Sequence, residues 1–138
     1  VGTPLLPEEW TEKIKKILRT REEVAALYLF GSRARGKAQA ESDLDLALVF
    51  HPLTPDEAFF RRGEILADLE ENLRPLKVHL LDLERVPPAL AYEILKEGLL
   101  LWERDRDRRV EVEARRLAEA LDFLPRRRKH IQALRSNP

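Results

Sequence analysis

Two aspartates, Asp43 and Asp45, interrupt an otherwise apolar run, "DLDLALVF", from Asp43 to Phe50. Aspartate is a poor strand former and is costly to bury, so a pair of them in one strand calls for a counter-charge. Residues i and i+2 of a strand project from one face with Cα atoms roughly 6.5–7 Å apart. From there two carboxylates can converge on one divalent ion or clamp two ions about 3.5–4 Å apart. The chain has no cysteine, and hard oxygen donors without thiolate favour Mg²⁺ or Mn²⁺. Upstream, Gly31 and Ser32 directly follow a second apolar run, "VAALYLF". Glycine lets the backbone approach a ligand closely, and the amides and the Ser32 hydroxyl can hold phosphate oxygens. Arg33, Arg35 and Lys37 bring positive charge to the same loop. A phosphate cradle beside paired metal-binding carboxylates is the equipment for phosphoryl or nucleotidyl transfer. A Gly-Ser turn, a D-x-D or a basic loop is commonplace by itself; their order and spacing carry the inference.

The elements that must position these residues can be read from periodicity. Pro7 to about Arg19 predicts a helix, with Glu8 and Glu9 in its first turn and an apolar face of Trp10, Ile14, Ile17 and Leu18. Val24–Phe30 predicts a buried strand stopped by Gly31. Asp43–Phe50 predicts a second strand, apolar on both faces beyond the aspartates and therefore central in a sheet covered on both sides. Asp56–Leu73 predicts a helix capped near Thr54 or Asp56, with Phe59, Phe60, Ile65, Leu66 and Leu69 inward. Leu76–Leu83 predicts a third strand. Pro88 opens a short helix that Gly98 ends, and Leu99–Glu103 predicts a fourth strand. A long charged helix runs from Asp105 to about Leu124, where Pro125 is expected to break or end it. This order implies an α/β (α+β) domain with a mixed sheet.

Composition bounds the function. The 138 residues suit one domain. Twenty-five basic and 25 acidic residues give zero formal net charge, which argues against a nucleic-acid coat or a membrane-surface protein. No apolar run approaches the roughly 18 residues of a membrane span, and no signal peptide is visible. The cytoplasm is the expected compartment. His51 reads as a loop residue, and Trp10, Trp102 and Tyr92 read as packing residues.

The stretch "GSRARGKAQAESDLDLALVF" resembles the minimal nucleotidyltransferase (MNT) domains of prokaryotes, within the DNA polymerase beta-type nucleotidyltransferases, whose signature is "GS", ten residues and then "DLD". The later "LLDLERVPPALAYEILKEGLLLWERD" is similar to the second half of that family, so the resemblance covers roughly Val24 to Asp105. It implies a nucleotidyltransferase fold, a mixed sheet flanked by helices, assigned to residues 1–104; the charge and periodicity of the remaining segment read as a C-terminal helix and basic tail over 105–138. It also implies ATP or another nucleoside triphosphate as substrate, Mg²⁺ on Asp43 and Asp45, and triphosphate contacts from Gly31 and Ser32, with Arg33 or Arg35 neutralising charge. Such domains are often encoded beside a HEPN-domain partner, as an antitoxin that can transfer AMP to a tyrosine of the toxin.

One departure bears on catalysis. The family's third carboxylate lies on a neighbouring strand in a pattern like "V-D-L-V-D-L"; here the stretch is "VHLLDL", and His79 stands at that position. Asp82, three residues on, faces the other side of a regular strand. His79 as general base, as metal ligand, or as a hydrogen-bonding residue within the sheet all remain open at this level. Two further readings stand beside the enzyme: a protein-binding antitoxin with a weak or dead site, and a nucleic-acid adaptor using "RRRKH", Arg126 to His130. Val110, Ala114, Leu117, Leu121 and Leu124 form a heptad-like stripe on the last helix. The stripe is expected to cover the domain's own sheet; the alternative is a seam for a partner helix or a second copy of the chain.

Overall fold

The structure, a computed structural model, describes residues 6–39 and 41–136, with side chains up to residue 122. Its elements in chain order are α1 (Glu8–Arg19), β1 (Val24–Phe30), α2 (Gly31–Ala34), β2 (Leu44–Phe50), α3 (Pro55–Asn72), β3 (Val78–Asp82), α4 (Pro88–Glu97), β4 (Leu99–Glu103) and α5 (Arg106–Ser136). The strands form one mixed sheet in the order β3-β2-β1-β4. β1 is antiparallel to both β2 and β4, whereas β2 and β3 run parallel.

Period-2 alternation distributes the strand residues between two apolar layers. Leu44, Leu46, Leu48 and Phe50 of β2 join Ile14 and Leu18 of α1 and Ile65 and Leu69 of α3 on one face. Ala47 and Val49 join Ala91 and Ile94 of α4 and Val112 of α5 on the other. β2 is therefore covered on both sides, as expected of a strand with no polar face beyond its aspartates. Burying each large apolar side chain is worth roughly 1.5–3 kcal/mol.

Helix ends follow their sequence signals. α1 places Glu8 and Glu9 in its first turn and Lys16 and Arg19 in its last, each sign matched to the helix dipole. The Thr54 hydroxyl caps α3 by accepting the Glu57 amide at 3.2 Å.

Three expectations are corrected. Phe59 and Phe60 are exposed, at 64% and 70%. The inward face of α3 is set by Ala58, Ile65 and Leu69, which leaves the two rings one and two residues past Ala58, roughly 100° and 200° around the helix. They meet edge-on, with centroids 6.0 Å apart. Secondly, α5 continues past Pro125. The carbonyl deprived of its partner by proline belongs to Leu121, a residue that is 50% exposed, where water can supply the missing donor.

Thirdly, the described part of the α5 stripe does not cover the sheet. Val110, Leu117 and Leu121 face solvent, and the first two line one hollow with exposed Leu100 of the edge strand β4. The buried face of α5 consists of Arg108, Val112, Arg116 and Ala120. Arginine takes these positions because its long side chain reaches acceptors beyond the helix. Arg108 donates to the Phe50 carbonyl at 2.9 Å, to Glu84 at 2.8 Å and to Glu111 at 2.9 Å. Arg116 donates to the Val86 carbonyl and to Glu119. On the β1 side the Tyr28 hydroxyl donates to Glu113, and burial pushes the Tyr28 phenol well above its ordinary value. Leu124 and Arg126 to His130 lie outside the residues whose side chains are described.

Candidate active site

The candidate residues meet at one end of the sheet. β1 ends at Phe30, which pairs with Asp45 across the antiparallel ladder. Asp45 in turn pairs with His79 of β3 in the parallel ladder. The end of β1, the start of β2 and the start of β3 thus bring Gly31, Asp45 and His79 side by side. Asp45 and His79 share the face that α4 and α5 cover, as the positions of Ala47 and Val49 require.

Gly31 lies directly against the Asp45 carboxylate. Its φ is +74°, a left-handed conformation, and a Cβ built on it would lie 2.2 Å from Asp45 Oδ2. The turn therefore holds Asp45 against bare backbone, which only glycine permits. The loop after Gly31 closes into the single helical turn α2. In it Arg35 N–H donates to the Gly31 carbonyl at 3.2 Å and Lys37 N–H to the Ser32 carbonyl at 3.0 Å.

His79 Nε2 lies 2.9 Å from Asp43 Oδ2, with both side chains nearly half exposed. An ionised carboxylate only accepts, so Nε2 carries the proton in this contact and Nδ1 is the ring's remaining nitrogen. Burial pushes the Asp45 carboxyl above the usual carboxylate range; His79 pulls it back, Asp43 adds to the rise, and Arg35 and Arg33 oppose it. A partly buried carboxylate beside a second one is the electrostatic condition that a cation relieves. Among the described residues no group of three or more His, Asp or Glu side chains is arranged to hold a metal. Mg²⁺ needs no such cage, since it is commonly held by one or two carboxylates together with substrate phosphates and water. The donor set of Asp43 and Asp45 fits it.

The two loop arginines part company. Arg35 is 44% exposed and pairs with Glu97 of α4 at 2.8 Å. Arg33 is 3% exposed. Its Nη2 donates to the Ser42 carbonyl at 2.6 Å and more weakly to the Gln39 carbonyl at 3.5 Å, and its guanidinium lies 5.2 Å from the Trp10 ring centroid. Ser42 also accepts the Gln39 amide at 2.8 Å. Arg33 is expected from the sequence to neutralise triphosphate charge; the contacts it makes tie α1 and the first turn after β1 to the residue preceding Asp43. Trp10 and Ser42 were not site candidates from sequence, because nothing in the local pattern marks either as a partner of Arg33. Arg33→Lys and Arg33→Gln are both expected to lower unfolding stability, by about 1.5–3 kcal/mol in urea titrations. The lysine should not rescue, because an ammonium cannot reproduce the planar fork.

Asp82 is not a third site carboxylate. The β2–β3 register runs unbroken from Val78 to Asp82, which turns Asp82 to the face opposite His79. There it accepts the Glu84 amide at 3.0 Å and Arg85 at 2.8 Å. His51, at the far end of β2, bridges the Glu22 carbonyl and Asp105. Among the described residues no helix is long and apolar enough to cross a membrane.

Residues 12–107 match the family described as polymerase beta, nucleotidyltransferase. The chain belongs to this nucleotidyltransferase family. Two Methanocaldococcus jannaschii proteins that carry the name protein adenylyltransferase are similar to this nucleotidyltransferase. One is 36% identical over 54% of this chain and 81% of its own length. The other is 33% identical over 67% of this chain and 91% of its own length. Among solved structures, a toxin–antitoxin pair with AMP-PNP superposes with a TM-score of 0.71 at 24% identity, over 91% of this chain and 98% of the other. A Shewanella oneidensis MNT antitoxin complex with a tri-AMPylated HEPN toxin gives a TM-score of 0.67 at 22% identity, over 94% and 98%. At those identities the likeness shows a shared fold, the nucleotidyltransferase fold expected from the mixed sheet and its helices.

Proposed function

We propose that this nucleotidyltransferase moves AMP from ATP to a hydroxyl of a protein acceptor, and that the protein acts as the antitoxin of a HEPN-domain toxin. The observation that carries the chemistry is the juxtaposition of Asp43 and Asp45 with the bare Gly31 backbone. It sets two carboxylates beside a turn that phosphates can approach. Asp43 and Asp45 would hold Mg²⁺ or Mn²⁺, which when bound supplies charge stabilisation to the transferring phosphate. Gly31 and Ser32 hold the triphosphate through backbone amides and the hydroxyl. Arg35, half exposed at the same turn, neutralises charge that grows on the leaving pyrophosphate. The acceptor hydroxyl gives its proton to water as its oxygen bonds to the α-phosphorus, the bond from that phosphorus to the bridging oxygen breaks, and pyrophosphate leaves with the electron pair. His79 orients Asp43 through its Nε2–H. The protein acceptor is favoured by the names of the two archaeal relatives, and the HEPN partner by the complexes that share the fold.

A second reading, an antitoxin that neutralises its partner by contact, is favoured by His79 at the third-carboxylate position and by the solvent-facing leucines of α5. The C-terminal segment, 105–138, would then serve as the contact surface for the partner or for a second copy of the chain.

Calorimetric titration of ATP with Mg²⁺ into wild type and into Asp43→Ala/Asp45→Ala tests the first reading. Metal-dependent binding in the wild type that is lost in the variant is the expected result. Absence of metal-dependent binding in the wild type would remove the nucleotide site and leave the contact reading.

A further inference from the structure

We infer that the outward face of α5 is a seam for a second copy of this chain, whose α5 lies antiparallel along it with Leu121 of each copy seated in a hollow of the other. The inference deepens the contact reading by committing its surface to one occupant, and it stands whether or not the carboxylate site transfers AMP.

The face has the pattern of a helix partner. Val110, Ala114, Leu117, Leu121 and Leu124 recur at spacings of four, three, four and three. That is the two-per-heptad seam that helices present to one another, narrower than the stripe a helix lays on its own domain. The domain holds α5 down through other positions, Arg108, Val112, Arg116 and Ala120. Val110, Ala114 and Leu117 line a hollow of about 420 Å³ together with Leu95 and Leu100. The polar side chains of that hollow are already hydrogen-bonded. Tyr28 donates to Glu113, and Arg109 donates to Glu113 at 2.9 Å and to Glu103 at 3.0 Å. What is left for an occupant to cover is apolar, which selects an aliphatic side chain over a polar ligand. Leu121, about one turn beyond Leu117 and half exposed, is such a side chain on the same face.

Charge selects the second copy and its direction. Past residue 122, α5 carries Arg126, Arg127, Arg128, Lys129 and Arg135 and no acidic residue. In its first half Glu111 and Glu113 flank the seam. One helix therefore holds both sides of a complementary pair. When Leu117 of one copy stands opposite Leu121 of an antiparallel copy, Glu111 stands level with Arg127 of that copy, and charges flanking a seam set partner and orientation. A parallel pair would set each basic run against its own duplicate, which repels. A two-fold axis makes every contact twice, so one hollow and one projecting leucine per chain close the assembly.

Sedimentation equilibrium tests the pairing. The wild type is expected at twice the 16.1 kDa of the chain. Leu117→Glu/Leu121→Glu is expected at half the wild-type mass, with an unchanged far-ultraviolet circular dichroism spectrum. The chain has no cysteine, so single introduced thiols report the geometry. Under mild oxidation Ala118→Cys, one residue from the two-fold axis on an exposed position, should crosslink to itself, and Val110→Cys should not. The crosslinks keep the test intact if the double variant fails to fold. A monomeric wild type would overturn the proposal and leave the face to a partner of another sequence. A dimer that survives Leu117→Glu/Leu121→Glu in folded protein would overturn it as well, by placing the contact elsewhere. Crosslinking through Val110→Cys and not through Ala118→Cys would overturn the antiparallel arrangement. ATP binding is measured separately by the calorimetric titration, so failure of this seam and failure of the transfer reading are told apart.

Discussion

Asp45→Asn is expected to lose AMP transfer by at least about 10³-fold while the metal-free protein becomes more heat-stable, its Tm rising by roughly 2–5 °C at neutral pH. The activity loss follows from removing one of the two carboxylates offered to the metal. The stability gain follows from the environment of Asp45, where burial raises the carboxyl above the usual range and Asp43 adds repulsion. The sign of the pH dependence follows from linkage. Because the folded-state value exceeds the unfolded one, the ionised side chain opposes folding, and that opposition is absent when the carboxyl is protonated in both states. It grows as pH rises past the ordinary carboxylate value and is complete above the raised one. The difference in Tm between Asn and wild type should therefore be near zero in acid and reach its plateau toward neutral pH. Excess Mg²⁺ should shrink the gap by stabilising the wild type alone. Thermal melts across pH, with and without Mg²⁺, check this. An Asn variant less stable than wild type at neutral pH without metal would refute the electrostatic account of the site.

Gly31→Ala carries the second large effect. The substituted residue would have to hold φ at +74°, which costs an L-residue roughly 1–2 kcal/mol. Its Cβ would also stand 2.2 Å from Asp45 Oδ2 and 3.0 Å from Cγ. Either the turn or the carboxylate must move, and a displacement of about 1 Å in a reacting constellation costs on the order of 10²-fold in rate. Transfer measured in single turnover should fall at least that far. The apolar layers should persist, because Leu44, Leu46 and Leu48 point away from the turn. Retained transfer in a well-folded Gly31→Ala protein would show that Asp45 does not need the position it occupies against the turn.

The residues of this site were readable because their logic is local. A strand has period 2, so Asp43-x-Asp45 specifies a shared face whatever surrounds it. A Gly after an apolar strand announces a close approach or a left-handed turn, and Gly31 is both. The caps and the apolar periodicity likewise placed eight of the nine elements, close to their observed bounds except for the end of α5, which continues past Pro125; the one-turn α2 is too short for any periodic signal. Helix faces were less secure. Phe59 and Phe60 read as core because they are large and apolar, but Ala58, a small residue between Glu57 and Phe59, sets the inward direction of α3 with Ile65 and Leu69.

Sequence by itself thus determined the chemistry on offer: two oxygen donors on one face, a phosphate-compatible turn, and a histidine in place of a third carboxylate. Only the tertiary structure decided how those groups are used, because packing, and not the local residue pattern, chooses their partners. Arg33 and Arg35 are indistinguishable in a linear text. Trp10 and the Ser42 carbonyl bury the first, and Glu97 holds the second half exposed. The parallel pairing of β2 with β3 puts His79 on Asp43. The outward turn of the α5 stripe was decided by hydrogen-bond acceptors, since buried polar groups must be satisfied. The carbonyls of Phe50 and Val86 together with Glu84 take Arg108 and Arg116 inward, and the leucines are left facing water.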